Sequence, residues 1–127
     1  NHRMRSELRG VPESTLVALR HYELFLEEVQ CLVAGDFNNW YSHPSGSFKR
    51  TVGFLSDHGF TSCYHTVHSL EFGQDEEPTH YYQKKKPFHI DYCFTPKGLR
   101  ACRCTLGERD EWLPYSDHVP LVVDLPI

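Results

Sequence analysis

Two polar side chains are spaced for joint chemistry directly after a short apolar segment. Residues 31–35 are predicted to form a buried strand, which Gly35 breaks. Asp36 and Asn38 follow two positions apart, so in an extended chain both side chains leave the same face. A carboxylate and a carboxamide that project together suit a hydrated cation and a phosphate oxygen. The alternative is an Asx-rich turn that closes the strand.

Another carboxylate, Asp91, lies within an apolar segment that is predicted to be a strand over residues 88–94. Because an unpaired buried carboxylate is costly, Asp91 needs a partner. That partner is either a functional side chain or a lysine or arginine in a structural ion pair. Alternation predicts an apolar face of Phe88, Ile90, Tyr92 and Phe94, and an opposite face of His89, Asp91 and Cys93.

Asp117 and His118 are adjacent, shortly before a closing strand predicted over residues 121–125. On an extended chain their side chains face opposite ways, whereas in a loop both can reach one cavity. The alternative is a solvated surface pair. The sequence alone leaves both interpretations open.

Taken in order, these segments resemble the C-terminal motifs of the endonuclease/exonuclease/phosphatase superfamily, which includes pancreatic deoxyribonuclease. The matching segments are Gly35-Asp36-Phe37-Asn38, His89-Ile90-Asp91-Tyr92 and Ser116-Asp117-His118-Val119-Pro120-Leu121. Each motif alone is weak evidence for the family, whereas the three motifs together in this order are specific to it. The resemblance implies an α/β (α+β) fold that forms half of a two-sheet sandwich, mainly an antiparallel sheet covered by helices on one side. Residues 1–127 would form a single domain, with the family's N-terminal half absent.

The resemblance also implies a chemistry, namely metal-dependent hydrolysis of a phosphate ester by a phosphodiesterase or nuclease. His118 would act near the attacking water or the phosphate, and Asp91 would hold its imidazole in one tautomer. Asp36 would orient the nucleophilic water, and Asn38 would hydrogen-bond the phosphoryl oxygen. Asp117 would help to hold Mg²⁺, with Mn²⁺ as the alternative cation.

The family's first half supplies a glutamate metal ligand that has no counterpart in this sequence. We therefore expect no tight Mg²⁺ ion in the isolated chain, because one carboxylate rarely suffices without a phosphate ligand. Either an N-terminal half or a second copy in a homodimer would complete the sandwich. Two other functions remain open: a phosphomonoesterase of the same superfamily, and a non-catalytic binding or assembly module that retains half a site.

Composition restricts the other partners. With 39% hydrophobic and 24% charged residues and a formal charge of −4, the chain is typical of a globular protein and not of a broadly nonspecific nucleic-acid binder. Lys84 to Lys86 are either a contact to a nucleic-acid backbone or a solvated hairpin tip. No apolar run approaches the roughly 20 residues of a membrane helix, and no signal-like segment opens the chain.

Five cysteines, an odd number, favour reduced core thiols in a cytoplasmic protein over a disulfide framework. A structural zinc at Cys102-Arg103-Cys104 is the alternative.

The remaining patterns predict the elements that position the site. The first helix is marked by the spacing of Leu16, Leu19, Tyr22, Leu26 and Val29, and Gly59 is predicted to end the second. Because two helices cover only one side of a sheet, we expect the other side to be buried against a second copy or a missing half. The predicted helices are 12–28 and 47–58; the predicted strands are 61–67, 79–82 paired with 88–94, 100–106 and 121–125; the predicted loops are 40–47, acidic 69–78 and irregular 110–115.

Overall fold

The computed structural model describes residues 11–126. The rest of the predicted single domain, before Val11 and at Ile127, lies outside the described residues. The helices are α1 (Val11–His21), α2 (Glu23–Glu28), α3 (Ser47–Asp57), α4 (Cys63–His68) and α5 (Arg109–Trp112). The strands are β1 (Val33–Asp36), β2 (Thr61–Ser62), β3 (His80–Tyr82), β4 (Lys86–Phe88), β5 (Asp91–Thr95), β6 (Arg103–Leu106) and β7 (Leu121–Asp124).

The central sheet places β5 between β1 and β2, and both pairings are antiparallel. Two antiparallel hairpins, β3–β4 and β6–β7, accompany it. Helices and small antiparallel sheets therefore make up the described chain, which confirms the predicted α/β class. Of the helices in residues 11–126, none is both long and apolar enough to cross a membrane.

One face of the central sheet carries an aromatic core. Tyr92 and Phe94 of β5 are 2% and 1% exposed and pack against Phe48 of α3. The rings of Phe48 and Tyr92 stack with centroids 4.5 Å apart. Leu19 and Leu26 join this core from α1 and α2. Burial of each such side chain contributes about 1.5–3 kcal/mol, so this core anchors β5 and the strand pairing that depends on it.

The opposite face of the sheet is covered from within the chain at β5, whereas Ala34 of β1 is exposed. Cys93 of β5 packs against Cys63 and Tyr64 of α4 and against Cys104 of β6. The expectation that only one face would be covered by this chain is therefore wrong at Cys93, because α4 and the β6–β7 hairpin lie over it. Dimer formation itself stays a prediction.

The strand predicted for residues 61–67 is wrong. Only Thr61–Ser62 pair with β5, and the chain then turns into α4. The Ser62 side chain accepts a hydrogen bond from the backbone N–H of His65 and so caps the helix. The prediction rested on the β propensity of these residues alone. Burial of Tyr64 and capping by Ser62 outweigh that propensity and favour the helix.

The long strand predicted over residues 88–94 is interrupted. β4 ends at Phe88 and β5 begins at Asp91, so the segment pairs first with β3 and then with β1 and β2. At the break the backbone N–H groups of Ile90 and Asp91 both donate to Thr79 Oγ1, at 3.0 and 3.1 Å. A buried hydroxyl replaces ladder hydrogen bonds here, which satisfies the backbone while the chain changes sheets. His89 and Ile90 are consequently both buried and do not alternate.

The helix predicted over residues 12–28 is divided at Tyr22, which has φ −101° and ψ 19°. Leu19 and Leu26 are buried as predicted, but Tyr22 and Val29 are 61% and 44% exposed. The buried apolar stripe of these two helices is therefore narrower than the predicted stripe, which included Tyr22 and Val29.

The second predicted helix is confirmed as α3. Gly59 follows it with φ +82° and donates to the Ser56 carbonyl, while Phe60 donates to the Leu55 carbonyl at 2.9 Å. This is the Schellman arrangement that the glycine indicated.

Smaller differences concern the chain's other turns. The segment 110–115 was predicted as irregular, but its residues 110–112 belong to the short helix α5 (Arg109–Trp112). Lys86 and Pro87 belong to β4, so the tip of the β3–β4 hairpin consists of residues 83–85. The strands β6 and β7 form within the segments predicted for them.

Candidate active site

The two aspartates of the candidate site come from neighbouring strands. Asp36 ends β1 and Asp91 begins β5, and the two residues lie directly opposite in the antiparallel register. Opposite residues of such a pair project from the same face, so two carboxylates meet there. Gly35, with φ +141°, occupies a backbone conformation that favours glycine immediately before Asp36. Like charges placed directly opposite are unfavourable unless a third group lies between them.

His118 is that third group. Its Nδ1 lies 2.8 Å from Asp91 Oδ2, which is the contact expected between these residues. Its Nε2 lies 3.7 Å from Asp36 Oδ2 and 3.9 Å from Asp117 Oδ1, beyond direct hydrogen-bond length. Since the Asp91 carboxylate accepts the Nδ1 hydrogen, Nε2 is left facing two further carboxylates.

The loop that carries His118 is held by backbone pairing with β3. The Val119 N–H donates to the Thr79 carbonyl at 2.9 Å, and the Tyr81 N–H donates to the Asp117 carbonyl at 2.7 Å. His80 and His118 form an antiparallel bridge between these hydrogen bonds. The loop is therefore held in position, while a shared site for Asp117 and His118 stays a prediction.

Asp117 is half exposed, and His80 holds its carboxylate. His80 Nε2 lies 3.1 Å from Asp117 Oδ2. This hydrogen bond, assisted by the charges of His80 and His118, lowers the pKa of Asp117 below its ordinary value. An ionised, accessible carboxylate is the kind of group that binds a hard cation.

Asn38 joins the site through its backbone. Its N–H donates to Asp36 Oδ1 at 2.7 Å, and its φ of +48° lies in the left-handed region, which asparagine tolerates. The Asx turn considered as an alternative is thus present, and it orients the Asp36 carboxylate. The turn does not exclude a functional role of Asp36, which stays a prediction. The proposed contact between the Asn38 carboxamide and a phosphoryl oxygen stays a prediction.

His80 is a site residue that the sequence did not reveal. Besides its bond to Asp117, its ring lies 4.5 Å from that of His118, and its Nδ1 is buried without a hydrogen-bond partner in the described part of the chain. The sequence placed His80 only in a hairpin strand. His80 reaches this position because it pairs with His118, 38 residues later in the chain. No local sequence pattern encodes that pairing.

The donor set fits a divalent cation. Asp36, Asp91 and His118 each offer a ligand atom within 4.8 Å of the others, and so do His80, Asp117 and His118. The carboxylates of these groups suit Mg²⁺ or Mn²⁺, whereas the imidazoles of His80 and His118 suit softer cations. A cavity of about 360 Å³, lined by residues that include Ala34, Cys93 and Val119, opens beside Asp36 and Asp91. This cavity borders the two aspartates and is not lined by Asp117 or His118.

The other candidates lie apart from this arrangement. Lys84 and Lys85 occupy the exposed hairpin tip, and Lys86 lies over the ring of Phe88 at 5.4 Å. All five cysteines are free thiols, and within residues 11–126 no cluster of metal-ligating side chains includes a cysteine. Among the described residues, no further metal-ligating side chains therefore lie close enough to Cys102 and Cys104 to complete a zinc site.

Comparison with known proteins bears on the fold. No family model matches the sequence, and no curated protein matches it either. The structure is similar to a crystal structure of an endonuclease/exonuclease/phosphatase from Beutenbergia cavernae, with a TM-score of 0.58 and 18% sequence identity. The match covers 93% of this chain and 33% of that chain, so the present chain spans about a third of its structural neighbour. The chain thus has the fold of part of an endonuclease/exonuclease/phosphatase, which confirms the resemblance suggested by its three motifs.

Proposed function

We propose that this chain carries part of the active site of a Mg²⁺-dependent phosphodiesterase or nuclease. The observation that supports the proposal most directly is the position of His118, bonded to Asp91 at 2.8 Å through Nδ1 while Nε2 faces Asp36 and Asp117. The structural similarity to the Beutenbergia endonuclease/exonuclease/phosphatase is consistent with phosphate-ester chemistry.

His118 is suited to proton transfer in such a reaction. Asp91 keeps the Nδ1 hydrogen in place, so that Nε2 can take a proton from a water or share one with a phosphate oxygen. The 3.7 Å gap between Nε2 and Asp36 Oδ2 is too long for a direct hydrogen bond and suits a bridging water. Asp36, oriented by the Asn38 N–H, would then align that water for attack on phosphorus.

Asp117 is the chain's best candidate for the metal ligand. When bound, Mg²⁺ would neutralise charge on the phosphoryl oxygens and thereby stabilise the transition state. His80 holds one oxygen of Asp117 and leaves the other toward His118. Mg²⁺ usually needs several oxygen ligands, so we propose that further ligands come from substrate phosphate and from residues outside this chain.

The test is hydrolysis by the natural polypeptide that contains these 127 residues. Bis-p-nitrophenyl phosphate and p-nitrophenyl phosphate, assayed with Mg²⁺ or with EDTA, separate diesterase from monoesterase activity. We expect Mg²⁺-dependent diester cleavage that falls by about 100-fold or more in His118→Ala, since this is the usual contribution of a general acid or base. His21→Ala, an exposed histidine on α1, is the control.

Four outcomes would contradict the proposal. Cleavage that survives EDTA would exclude the metal role, and equal loss in His118→Ala and His21→Ala would exclude a role for His118. Preference for the monoester would favour the phosphomonoesterase instead. Absence of hydrolysis of either substrate would favour a binding or assembly module.

A further inference from the structure

A second group of histidine and carboxylate side chains lies in the interior. His65 of α4, Glu76 of the loop before β3, and His89 between β4 and β5 each offer one ligand atom, and these atoms lie within 4.8 Å of one another. His65 and His89 are each 5% exposed, and the Glu76 side chain is 11% exposed. Polar groups converge at such a place only when they satisfy one another or share a ligand.

The two ring nitrogens of His89 differ in their surroundings. Nδ1 lies 2.6 Å from the Glu77 carbonyl oxygen, and because a carbonyl can only accept, Nδ1 carries the hydrogen. In the neutral imidazole the lone pair is then on Nε2. That nitrogen is buried, and none of residues 11–126 provides it with a hydrogen-bond partner. A buried lone pair without a donor is able to accept a hydrogen bond or to bind a metal ion.

His65 can present its Nε2 in the same way. Its Nδ1 lies 2.6 Å from Ser62 Oγ, and its Nε2 is hydrogen-bonded to Glu76. A hydroxyl oxygen accepts as readily as it donates, so the ring hydrogen can reside on Nδ1 and free Nε2. Both histidines would then bind through Nε2 while Nδ1–H donates to a fixed oxygen. This is the pattern that orients metal-bound imidazoles in proteins.

We propose that His65, Glu76 and His89 form a structural Zn²⁺ site. Two imidazoles and one carboxylate are a zinc donor set, whereas Mg²⁺ prefers oxygen ligands and retains its waters. The ion would join α4, the loop at Glu76 and the segment at His89. That loop continues into Thr79 and His80, so the ion would stiffen the support of the site around His118. The inference does not depend on phosphate-ester hydrolysis.

A third group in the molecule supplies the matched control. Glu23, Glu27 and His58 also place ligand atoms within 4.8 Å of one another. Both nitrogens of His58 are engaged there, Nδ1 with the Phe54 carbonyl at 2.8 Å and Nε2 with Glu23 at 2.9 Å. The two carboxylates are about half exposed. The residue types are the same, but there is neither a free buried lone pair nor an enclosed position.

The first experiment measures zinc affinity by competition with a chromophoric chelator. We expect the unmodified protein and His58→Gln to bind one equivalent of Zn²⁺ with equal affinity. His89→Gln and Glu76→Gln should lose roughly 100-fold in affinity, since even residues that only orient ligands contribute 10–100-fold. Asp117→Asn tests whether the exposed site is responsible instead, and we expect it to bind as tightly as the unmodified protein.

The second experiment uses only the unmodified protein and so does not depend on how the variants fold. X-ray absorption at the zinc edge should show nitrogen and oxygen ligands with two imidazoles and no sulfur. A sulfur ligand would assign the ion to the cysteines and overturn the proposal. It would equally be overturned by failure of the unmodified protein to bind Zn²⁺, by a folded His89→Gln that binds normally, or by loss of binding in Asp117→Asn.

Discussion

The candidate active site and the buried zinc-ligand cluster are built from the same residue types in opposite surroundings. Around His118 the acceptors Asp36 and Asp117 are 49% and 51% exposed, and at 3.7 and 3.9 Å from Nε2 neither forms a direct hydrogen bond with it. Around His89 the side chains are enclosed, and His65 and Glu76 are hydrogen-bonded to each other. The difference teaches that accessibility, and not residue type, separates a group able to process a substrate from one suited to hold an ion in place.

The largest expected effect is on the rate of reaction at the open site. His118→Ala should lower kcat by about 100-fold to 10,000-fold, the range for loss of a general acid or base. The free energy of unfolding should change by about 1 kcal/mol or less, because the side chain is 31% exposed and its ion pairs are partly solvated. Steady-state kinetics and urea denaturation measure the two quantities. A large loss of stability with an unchanged kcat would mean that His118 stabilises the fold and takes no part in catalysis.

Substitution in the buried cluster of His65, Glu76 and His89 should mainly lower the stability of the fold. His89→Ala leaves a cavity and an unpaired Glu77 carbonyl, so we expect a loss of about 2–4 kcal/mol in the free energy of unfolding. His21→Ala, exposed on α1, is the control for loss of a histidine. Denaturation should be measured in chelator, so that bound metal does not contribute. If the two variants are equally stable, the interior group has no structural importance and the comparison fails.

Thr79 connects the two regions, and its substitution should affect both. It is fully buried, and its Oγ1 accepts hydrogen bonds from the Ile90 and Asp91 N–H groups. Thr79→Val keeps the shape but leaves both donors unpaired, which should cost about 2–3 kcal/mol. We also expect Asp91 to move, because its backbone N–H loses its acceptor, and kcat to fall as a result. Thr79→Ser retains the hydroxyl and should recover most of both losses, a result that cavity formation alone would not produce.

A smaller effect is expected from His80, which acts through Asp117. His80→Ala removes the hydrogen bond that lowers the pKa of Asp117, so that pKa should rise toward its ordinary value. The Mg²⁺ concentration for half-maximal activity should rise roughly tenfold, the lower end for residues that orient a ligand. His80→Asn is the partner variant that retains a donor. An unchanged Mg²⁺ requirement with reduced kcat would mean that His80 contacts the substrate itself.

The smallest expected effect sharpens the comparison with the control group at His58. The hydrogen bond to the Phe54 carbonyl, and then Glu23, raise the pKa of His58 above 6.5. Protonation therefore favours the folded state: the stabilisation is complete below the unfolded pKa of about 6.5 and is lost as pH rises through the higher folded pKa. Unfolding measured across this window should show a decline that His58→Gln abolishes and that salt reduces. A rise in stability over the same window would contradict the assignment.

Local patterns in the sequence determined several elements of this protein. The apolar spacing and Gly59 defined α3 and its Schellman end, since both signals act within one or two helical turns. A strand at Asp36 was also predicted, but the prediction was wrong in its bounds and burial: β1 is Val33–Asp36, continues through Gly35 and is largely exposed. The identity and order of Asp36, Asp91, Asp117 and His118 as candidate residues came from the sequence. Such features depend on neighbours close in the chain, where residue types carry most of the information.

Tertiary structure decided the features that join distant segments. Cys63–His68 became a helix because burial and the Ser62 cap outweighed β propensity, and residues 88–94 were divided because Thr79 bonds their backbone. His80 reached the site through pairing with His118, and the ligand atoms of His65, Glu76 and His89 converged from three segments. Convergence of this kind depends on burial and strand pairing across the whole fold, and no spacing within one segment records it.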